Sequence, residues 1–275
     1  MSALDWPSLA LMAVALAAAG FLSGFLAGLL GIGGGAVVVV TLYEAFRWLG
    51  VDEAVRMHLT TGTALAIIAP TTLRSFMAHR ARGIADLAFV RRMAVPVVAG
   101  VVLGSLVAGS SGGSVLKWVW VVMGSALALR MFLGRDEWRL GSEIPQSLAI
   151  EAYGVVLGAV STLMSVGGGA YVVILMTLYG RPLHQAVATS SGFGPLIAIP
   201  GLLGFMWAGW GTTGMPPGTI GYVSLLGAAL AIPTGLLGAP LGARISHGLT
   251  KRGLELAFAV FMTLVVIRFL ASLLL

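Results

Sequence analysis

Two glycine-rich stretches, Leu30-Gly-Ile-Gly-Gly-Gly-Ala36 and Met164-Ser-Val-Gly-Gly-Gly-Ala170, decide how this sequence folds. Each lies in a long run without Asp, Glu, Lys or Arg, residues 8–43 and 152–180. A continuous helix over the first run would be about 54 Å long, whereas the hydrocarbon core of a bilayer is about 30 Å thick. Three consecutive glycines also carry a large entropic cost in a helix. We therefore predict that both runs are broken at the glycines.

The composition is that of a membrane protein. The chain is 58% hydrophobic and only 9% charged, against about 25% charged residues in a soluble domain. The net charge is +6, but most basic residues stand at the ends of apolar segments, where membrane topology explains them. Cysteine is absent, so there is no thiolate metal site. We expect an all-α polytopic membrane protein surrounded by a lipid bilayer, with no nucleic acid partner.

The glycine break is part of an internal duplication. Three elements recur in the same order in both halves: Gly33-Gly34-Gly35-Ala36 with Gly167-Gly168-Gly169-Ala170, Thr60-Thr61-Gly62 with Ser190-Ser191-Gly192, and Pro70 with Pro200. This shared order predicts two transmembrane repeats, residues 1–140 and 141–275, within one integral membrane domain.

The basic residues decide between two topologies. Arg74 is left out of the count because it lies within a helix. If each broken run crosses the membrane once, the other basic residues are divided about evenly between the two sides of the membrane. If each broken run returns instead, the larger set comprises Arg80, Arg82, Arg91, Arg92, Arg130, Arg135, Arg139, Arg181, Arg244, Lys251 and Arg252. The smaller set is then Arg47, Arg56, Lys117 and Arg268. The positive-inside rule favours this second topology and places the larger set in the cytoplasm.

The returning topology puts both termini outside the cytoplasm and inverts the second repeat relative to the first. Each repeat then consists of a glycine-broken or re-entrant segment followed by three transmembrane helices, an architecture that recurs in secondary transporters. Whether each broken segment is a re-entrant hairpin or two short spans stays open at this stage.

Several stretches resemble a known family, the sulfite exporter TauE/SafE family, over nearly the whole chain. They are Gly28-Leu-Leu-Gly-Ile-Gly-Gly-Gly35, its second copy ending at Gly169, Ala78-His-Arg-Ala-Arg-Gly83 and Gly238-Ala-Pro-Leu-Gly-Ala-Arg244. The resemblance implies a multi-pass protein of the bacterial cell inner (cytoplasmic) membrane that transports sulfite, thiosulfate, sulfonates such as sulfoacetate, or related organic anions. The proline that the family often carries shortly after each triple glycine is missing here.

The glycine breaks are candidate anion sites. A helix that starts after a break, at Ala36 or Ala170, presents free N–H groups and a positive dipole end to the membrane interior. Irregular backbone at this depth is tolerated where it is buried in protein or lines a cavity. The candidate residues of the breaks are Gly33, Gly34, Gly35, Ala36, Gly167, Gly168, Gly169 and Ala170. The alternative is that the glycines only permit close helix packing.

Hydroxyl side chains supply the second group of candidates. Their members are Thr60, Thr61 and Thr63 in the first half, and Ser165, Thr189, Ser190 and Ser191 in the second. Hydroxyls can donate to an oxyanion without the cost of a buried charge. The alternative is that they bond back to carbonyls of their own helix. Ser165 has Gly31 as its counterpart, an asymmetry that would tune the choice of substrate.

Two ionisable residues are candidates for a proton or anion relay. His58 stands near the threonine pair and would carry a proton, although an interfacial histidine is the simpler interpretation. Arg74 would serve as a stepping stone for an anion, although snorkelling to the interface explains it more simply. The acidic residues all fall near segment ends, which disfavours a cation transporter.

The sequence therefore predicts a secondary transporter of small sulfur-containing anions that works by alternating access between inverted repeats. The alternatives are a passive anion channel of the same fold and a transporter of non-sulfur organic anions. No catalytic motif is present, so we expect no enzyme, no catalytic residue, no cofactor and no bound metal. The direction of transport, the coupling ion and the oligomeric state, including a homodimer, are left open.

Overall fold

A computed structural model of the chain describes residues 6–30, 35–81, 83–133, 139–246 and 251–274. The helices of these ranges are α1 (Trp6–Leu30), α2 (Gly35–Trp48), α3 (Glu53–Ala81), α4 (Leu87–Ser110), α5 (Gly113–Leu133), α6 (Leu148–Met164), α7 (Gly169–Leu178), α8 (Leu183–Ser190), α9 (Phe193–Ala208), α10 (Leu225–Ser246) and α11 (Lys251–Leu274). Two antiparallel strands of two residues each, β1 (Thr219–Ile220) and β2 (Val223–Ser224), precede α10.

The helices have the length and composition of membrane spans. In the described ranges, five are long and apolar enough to cross a bilayer: Leu87–Ser110, Gly113–Leu133, Leu183–Ala208, Leu225–Gly242 and Leu256–Leu274. Large apolar side chains lie on the outside of the bundle, for example Val95 at 78% exposure and Leu203 at 61%. Such a surface suits lipid rather than water. The predicted all-α polytopic membrane protein is confirmed.

Both long runs divide at the glycines, as predicted. The helix α1 ends at Leu30 and α2 begins at Gly35, while α6 ends at Met164 and α7 begins at Gly169. At the second break the chain turns through two left-handed residues, Ser165 with φ 51° and Gly168 with φ 70°. Positive φ is costly for a residue with a Cβ atom, so Ser165 is an unusual occupant of this position.

The second broken segment returns to the side from which it starts. Leu140, which precedes α6, donates its N–H to the carbonyl of Leu178 at the end of α7 (2.7 Å). In the first half, α1 and α2 lie side by side because the Thr41 hydroxyl donates to the Ser23 hydroxyl (3.3 Å). Both segments therefore run inward along one helix and back along a shorter one.

The pairs α1 with α10 and α4 with α6 pack in parallel through small residues. The close approaches are Gly20 with Ala231 and Gly24 with Gly235 between α1 and α10, and Gly100 with Val155 and Gly104 with Ala159 between α4 and α6. A Cβ atom built on Gly24 would lie 2.1 Å from the carbonyl oxygen of Gly235. Glycine at such points lets helix backbones touch, which is how membrane helices gain packing energy.

Two other pairs of helices run antiparallel. In the pair α3 and α9, Gly62 lies beside Phe205 and Thr72 beside Gly194. In the pair α5 and α11, Lys117 bonds to Ser272 at one end, and Arg252 donates to carbonyls of α5 at the other. We call the two ends of the bundle the Glu53 end and the Ala81 end, after the first and last residues of α3.

Candidate functional site

The two glycine breaks touch each other. A Cβ atom built on Gly35, the first residue of α2, would lie 2.3 Å from the carbonyl oxygen of Ser165 and 3.0 Å from the Cα atom of Val166. No side chain fits in that space, so glycine is required at Gly35 for this contact. The duplicated motif thus brings the start of α2 against the second break in the interior of the protein.

The helix α7 begins at this junction without a capping side chain. Its N-cap is Gly168, which has no side chain to offer the first turn. The first N–H groups of a helix have no acceptor within the helix, and the helix dipole makes this end partly positive. Ala170, in the first turn, is 4% exposed. A buried, uncapped helix start of this kind favours a negatively charged ligand.

Four hydroxyl groups are buried beside the junction without a partner. Thr60 and Thr61 on α3 and Ser161 and Thr162 on α6 are each 0% exposed, and no hydrogen bond reaches their hydroxyl oxygens. A buried hydroxyl without a partner costs about 1–3 kcal/mol, so nearly all buried polar groups in proteins are bonded. Four buried hydroxyls without a hydrogen-bond partner in one region of the protein are therefore unusual.

Other hydroxyls in the helices behave in the ordinary way, by bonding back to their own helix. Thr177, Thr234 and Thr263 each donate to the carbonyl four residues earlier, at 2.8–2.9 Å. Membrane helices commonly satisfy Ser and Thr in this manner. The four unpartnered hydroxyls therefore differ from the hydroxyls of Thr177, Thr234 and Thr263 in the described helices.

Two short contacts place Thr61 and Ser161 next to the second break. The Ser165 hydroxyl, itself 0% exposed, donates to the carbonyl oxygen of Thr61 at 2.6 Å and ties the break to α3. The Ser161 hydroxyl lies 3.5 Å from the Cβ position of Gly168. Residues of α3 and α6 thus surround the start of α7.

The remaining predicted hydroxyls have other partners in the structure. Thr63 accepts a hydrogen bond from the Ser224 N–H (2.9 Å), and Thr189 accepts one from the Asp86 N–H (2.9 Å). The hydroxyls of Ser190 and Ser191 donate to carbonyls of α8, at 2.9 and 2.6 Å. Ser190 still borders the start of α7, since its hydroxyl lies 3.9 Å from the Cβ position of Gly169. A binding role for the second-half hydroxyls stays a prediction.

The two relay candidates lie away from the junction. His58 is 3% exposed, and its Nε2 atom is 3.1 Å from the Ala108 carbonyl oxygen and 3.0 Å from that of Ser111. The ring also stacks on Tyr222, with 4.7 Å between centroids. Arg74 is exposed on the side of α3. The predicted residues Gly33 and Gly34 lie outside the described residues.

A family model described as sulfite exporter TauE/SafE matches residues 16–269. This chain belongs to that family. It is 32% identical, over 90% of its length and 94% of the relative's, to a "probable membrane transporter protein" of Haemophilus influenzae. A second protein with that description, from Methanocaldococcus jannaschii, is 27% identical over 86% of this chain and 87% of the relative. No solved structure matches the chain. The resemblance drawn from the sequence is confirmed, and the chain is a multi-pass TauE/SafE membrane protein.

Sequence reasoning missed Ser161 and Thr162 of this TauE/SafE protein. The hydroxyls singled out stood beside the recurring glycines, whereas the counterparts of Ser161 and Thr162 at the same spacing from the glycines are Ala27 and Gly28. The signal that was present is a Ser-Thr pair about one helical turn before Ser165, inside an uncharged run. The hydroxyl cluster is therefore asymmetric although the glycine breaks are duplicated.

The hairpin of residues 219–224 covers α3 at the Glu53 end of the TauE/SafE bundle. The Tyr222 N–H donates to the Phe205 carbonyl (3.1 Å), and the Tyr222 carbonyl oxygen lies 2.2 Å from the Cβ position of Gly62. Gly62 directly follows Thr61 in the sequence, so the hairpin packs within one residue of the hydroxyl cluster. The Tyr222 and His58 rings stack on each other at this end of the bundle.

Proposed function

We propose that this protein is a secondary transporter of small sulfur-containing anions such as sulfite, thiosulfate or sulfoacetate-type sulfonates, and that it has no enzymatic activity. The observation that carries the proposal is the set of four buried, unpartnered hydroxyls on α3 and α6, next to the contact between the two glycine breaks. The sulfur chemistry of the substrate is suggested by the description of the family.

The chemistry of the junction favours an anion over a cation. Hydroxyls and helix N–H groups are neutral donors that stabilise an oxyanion without placing a fixed charge in the membrane. None of the described buried side chains is an Asp or Glu, the residues that cation sites and proton relays ordinarily use.

We further propose that the two halves are inverted repeats that give alternating access to the junction. The antiparallel pairs support this arrangement, because α9 and α11 are the second-half counterparts of α3 and α5. The packing of the first helix of each half also supports inverted repeats. The helix α1 packs on α10, and its counterpart α6 packs on α4, which is the first-half counterpart of α10. In the proposed mechanism, the hairpin of residues 219–224, which packs against Gly62 at the Glu53 end, separates from it during transport.

The proposed orientation places the Ala81 end in the cytoplasm of the inner membrane, with both termini outside. Contacts at that end support the grouping of the larger basic set: Arg92 bonds to the Pro145 carbonyl, and Arg252 to carbonyls of α5. Because the chain has no cysteine, single substitutions at the exposed Thr213 and Ser142 report each side directly. We expect Thr213→Cys to react with an impermeant maleimide in intact cells and Ser142→Cys to react only after lysis. The reverse pattern would overturn the orientation.

Counterflow in proteoliposomes tests the proposed function. Vesicles loaded with unlabelled sulfite, thiosulfate or sulfoacetate should accumulate the labelled anion above equilibrium, while sodium and zinc should not be taken up. Anion conduction without counterflow would indicate a passive channel, and counterflow only with carboxylates would indicate a transporter of non-sulfur organic anions. Cation uptake with no response to any anion would overturn the proposal.

A further inference from the structure

A cleft of about 230 Å³ opens at the Glu53 end of the bundle, away from the glycine junction. It lies where α2 and α11 end and α3 begins. Its lining residues are Tyr43, Arg47, Glu53, Arg56, Arg268, Ala271 and Ser272. We call it the Tyr43 cleft.

All four members of the smaller basic set converge on this cleft. The Arg56 guanidinium carbon lies 5.5 Å from the centre of the Tyr43 ring, the Lys117 Nζ atom 5.6 Å and the Arg268 guanidinium carbon 5.7 Å. Arg47 lines the cleft beside them. These residues come from α2, α3, α5 and α11, so tertiary folding rather than local sequence gathers them.

Two carboxylates offset only part of this charge. Glu44 pairs with Arg268 (2.7 Å) and with Arg47 (3.2 Å), and Glu53 pairs with Lys117 and with Arg56 (3.7 Å). Four cations thus face two carboxylates in one small space. In the proposed orientation, this excess positive charge lies outside the cytoplasm, so the positive-inside rule does not explain it.

The bonds of the four cations show which of them remain available. Lys117 is 3% exposed and is occupied by Glu53 and Ser272. Arg56 uses its Nε and Nη2 atoms on the Val51 carbonyl, at 3.0 and 2.7 Å. Arg47 and Arg268 have side chains 54% and 31% exposed, and each meets Glu44 through a single nitrogen. A guanidinium carries five N–H donors in a planar fork, so each of these two lining residues keeps donors beyond the nitrogen that meets Glu44.

Buried rings close the cleft from behind. The Tyr43 ring meets Phe269 edge-on at 5.3 Å, and Phe269 packs on Trp120 at 5.6 Å. All three side chains are at most 1% exposed. None of the four unpartnered hydroxyl residues lines the Tyr43 cleft, so this site is distinct from the glycine junction.

We propose that the Tyr43 cleft is a second anion site that binds a tetrahedral oxyanion group, sulfate or phosphate, between Arg47 and Arg268. The planar forks of two arginines match the oxygens of such a group through bidentate hydrogen bonds, and Glu44 holds the two forks side by side. The phosphate group comes either from a free anion outside the cytoplasm or from the headgroup of an anionic phospholipid. The site does not depend on the proposed transport activity.

Sulfate binding to the purified full-length protein in detergent tests the free-anion source, by isothermal titration at constant ionic strength in chloride. We expect the double variant Arg47→Gln/Arg268→Gln to bind sulfate at least tenfold more weakly than the wild type, since each lost charge-assisted bond is worth about 1.5–3 kcal/mol. The matched control Arg80→Gln/Arg91→Gln, at the Ala81 end, should bind like the wild type. Elution as a single species on gel filtration checks that each variant is folded.

Native mass spectrometry after extraction from membranes rich in phosphatidylglycerol tests the lipid source. A bound phosphatidylglycerol that the double variant loses and the control keeps would support the proposal with a lipid ligand. If the wild type binds neither sulfate nor phosphatidylglycerol, or the double variant binds like the wild type, the proposal is wrong. The variant Thr61→Val should leave binding at the cleft unchanged. Sulfate binding that Thr61→Val abolishes and the double variant retains would refute the cleft and leave the proposed function standing.

Discussion

Replacing Ser165 separates two opposing contributions at the second glycine break. Its hydroxyl makes a buried hydrogen bond to the Thr61 carbonyl (2.6 Å), which is worth about 1 kcal/mol in proteins generally and about 0.6 kcal/mol on average between membrane helices. Its backbone has φ 51°, a left-handed conformation that costs a residue with a Cβ atom about 1–2 kcal/mol relative to glycine. The two contributions are similar in size and opposite in sign.

The variants Ser165→Ala and Ser165→Gly should therefore differ. Alanine loses the hydrogen bond and keeps the left-handed cost, so we expect the unfolding equilibrium to shift by about 0.6–1.5 kcal/mol, or roughly threefold to tenfold, towards the unfolded state. Glycine loses the same bond but relieves the backbone, so we expect its stability to stay within about 0.5 kcal/mol of the wild type.

Reversible unfolding in mixed micelles of mild detergent and dodecyl sulfate, followed by circular dichroism, measures both differences. The order expected is wild type and Ser165→Gly together, with Ser165→Ala below them. Equal destabilisation of the two variants would refute the left-handed conformation of Ser165. Wild-type stability of Ser165→Ala would refute the stabilising bond to α3.

Three further substitutions test separate contacts. Gly35→Ala places a methyl group 2.3 Å from the Ser165 carbonyl oxygen. We expect thermal unfolding to show that stability falls by about 1–3 kcal/mol. Wild-type stability of this variant would mean that the two glycine breaks do not touch. Gly62→Ala places a methyl group 2.2 Å from the Tyr222 carbonyl oxygen, so hydrogen exchange over residues 219–224 should accelerate, whereas unchanged exchange would show that the hairpin is not seated there. Asp86→Ala removes the side-chain cap of α4, so chemical unfolding should show a stability lower by about 1 kcal/mol, whereas Asp86→Asn keeps the cap and should be nearly as stable as the wild type. Equal losses of stability in the two variants would show that the Asp86 side chain does not cap the helix.

The broken helices were predictable because a triple glycine acts locally, through backbone entropy. The breaks at Gly35 and Gly169 follow from that effect and from the length of the uncharged runs. The side of the membrane on which each helix end lies was inferred from the distribution of basic residues alone, since the positive-inside rule relates that distribution to topology. These features depend on the chain and its solvent rather than on tertiary contacts.

The candidate site was less predictable because its hydroxyls are distinguished by the absence of a hydrogen-bond partner, which depends on tertiary contacts. Thr60 and Ser190 occupy equivalent positions in the two repeats, yet only Thr60 is left without a partner, because the Ser190 hydroxyl donates to the Val187 carbonyl. His58 was interpreted as interfacial because nothing in its own helix covers it. The end of α4 and Tyr222 bury it, and no local pattern announces such contacts.

The hairpin of residues 219–224 was also not anticipated. Its stretch lies in the uncharged run 182–243, where two strands of two residues give no periodic signal. The strands form because Phe205 and Thr63, on α9 and α3, bond the backbone of Tyr222 and Ser224. Structure held together by tertiary bonds of this kind cannot be deduced from local propensity.

The central claim is that the four unpartnered hydroxyls bind the transported anion, and variants that lack one hydroxyl test it most directly. Thr60→Val, Thr61→Val, Ser161→Ala and Thr162→Val should keep or slightly increase stability, because no protein hydrogen bond is lost. Removal of any hydroxyl that bonds the anion should raise the KM for that anion about 10- to 150-fold, because a hydrogen bond to a charged group is worth about 1.5–3 kcal/mol. The matched control Thr263→Val loses only a bond to its own helix and should transport normally. Measurement of KM for sulfite counterflow in proteoliposomes decides the matter: a KM raised in the cluster variants and unchanged in Thr263→Val supports the account, and a wild-type KM in all four cluster variants contradicts it.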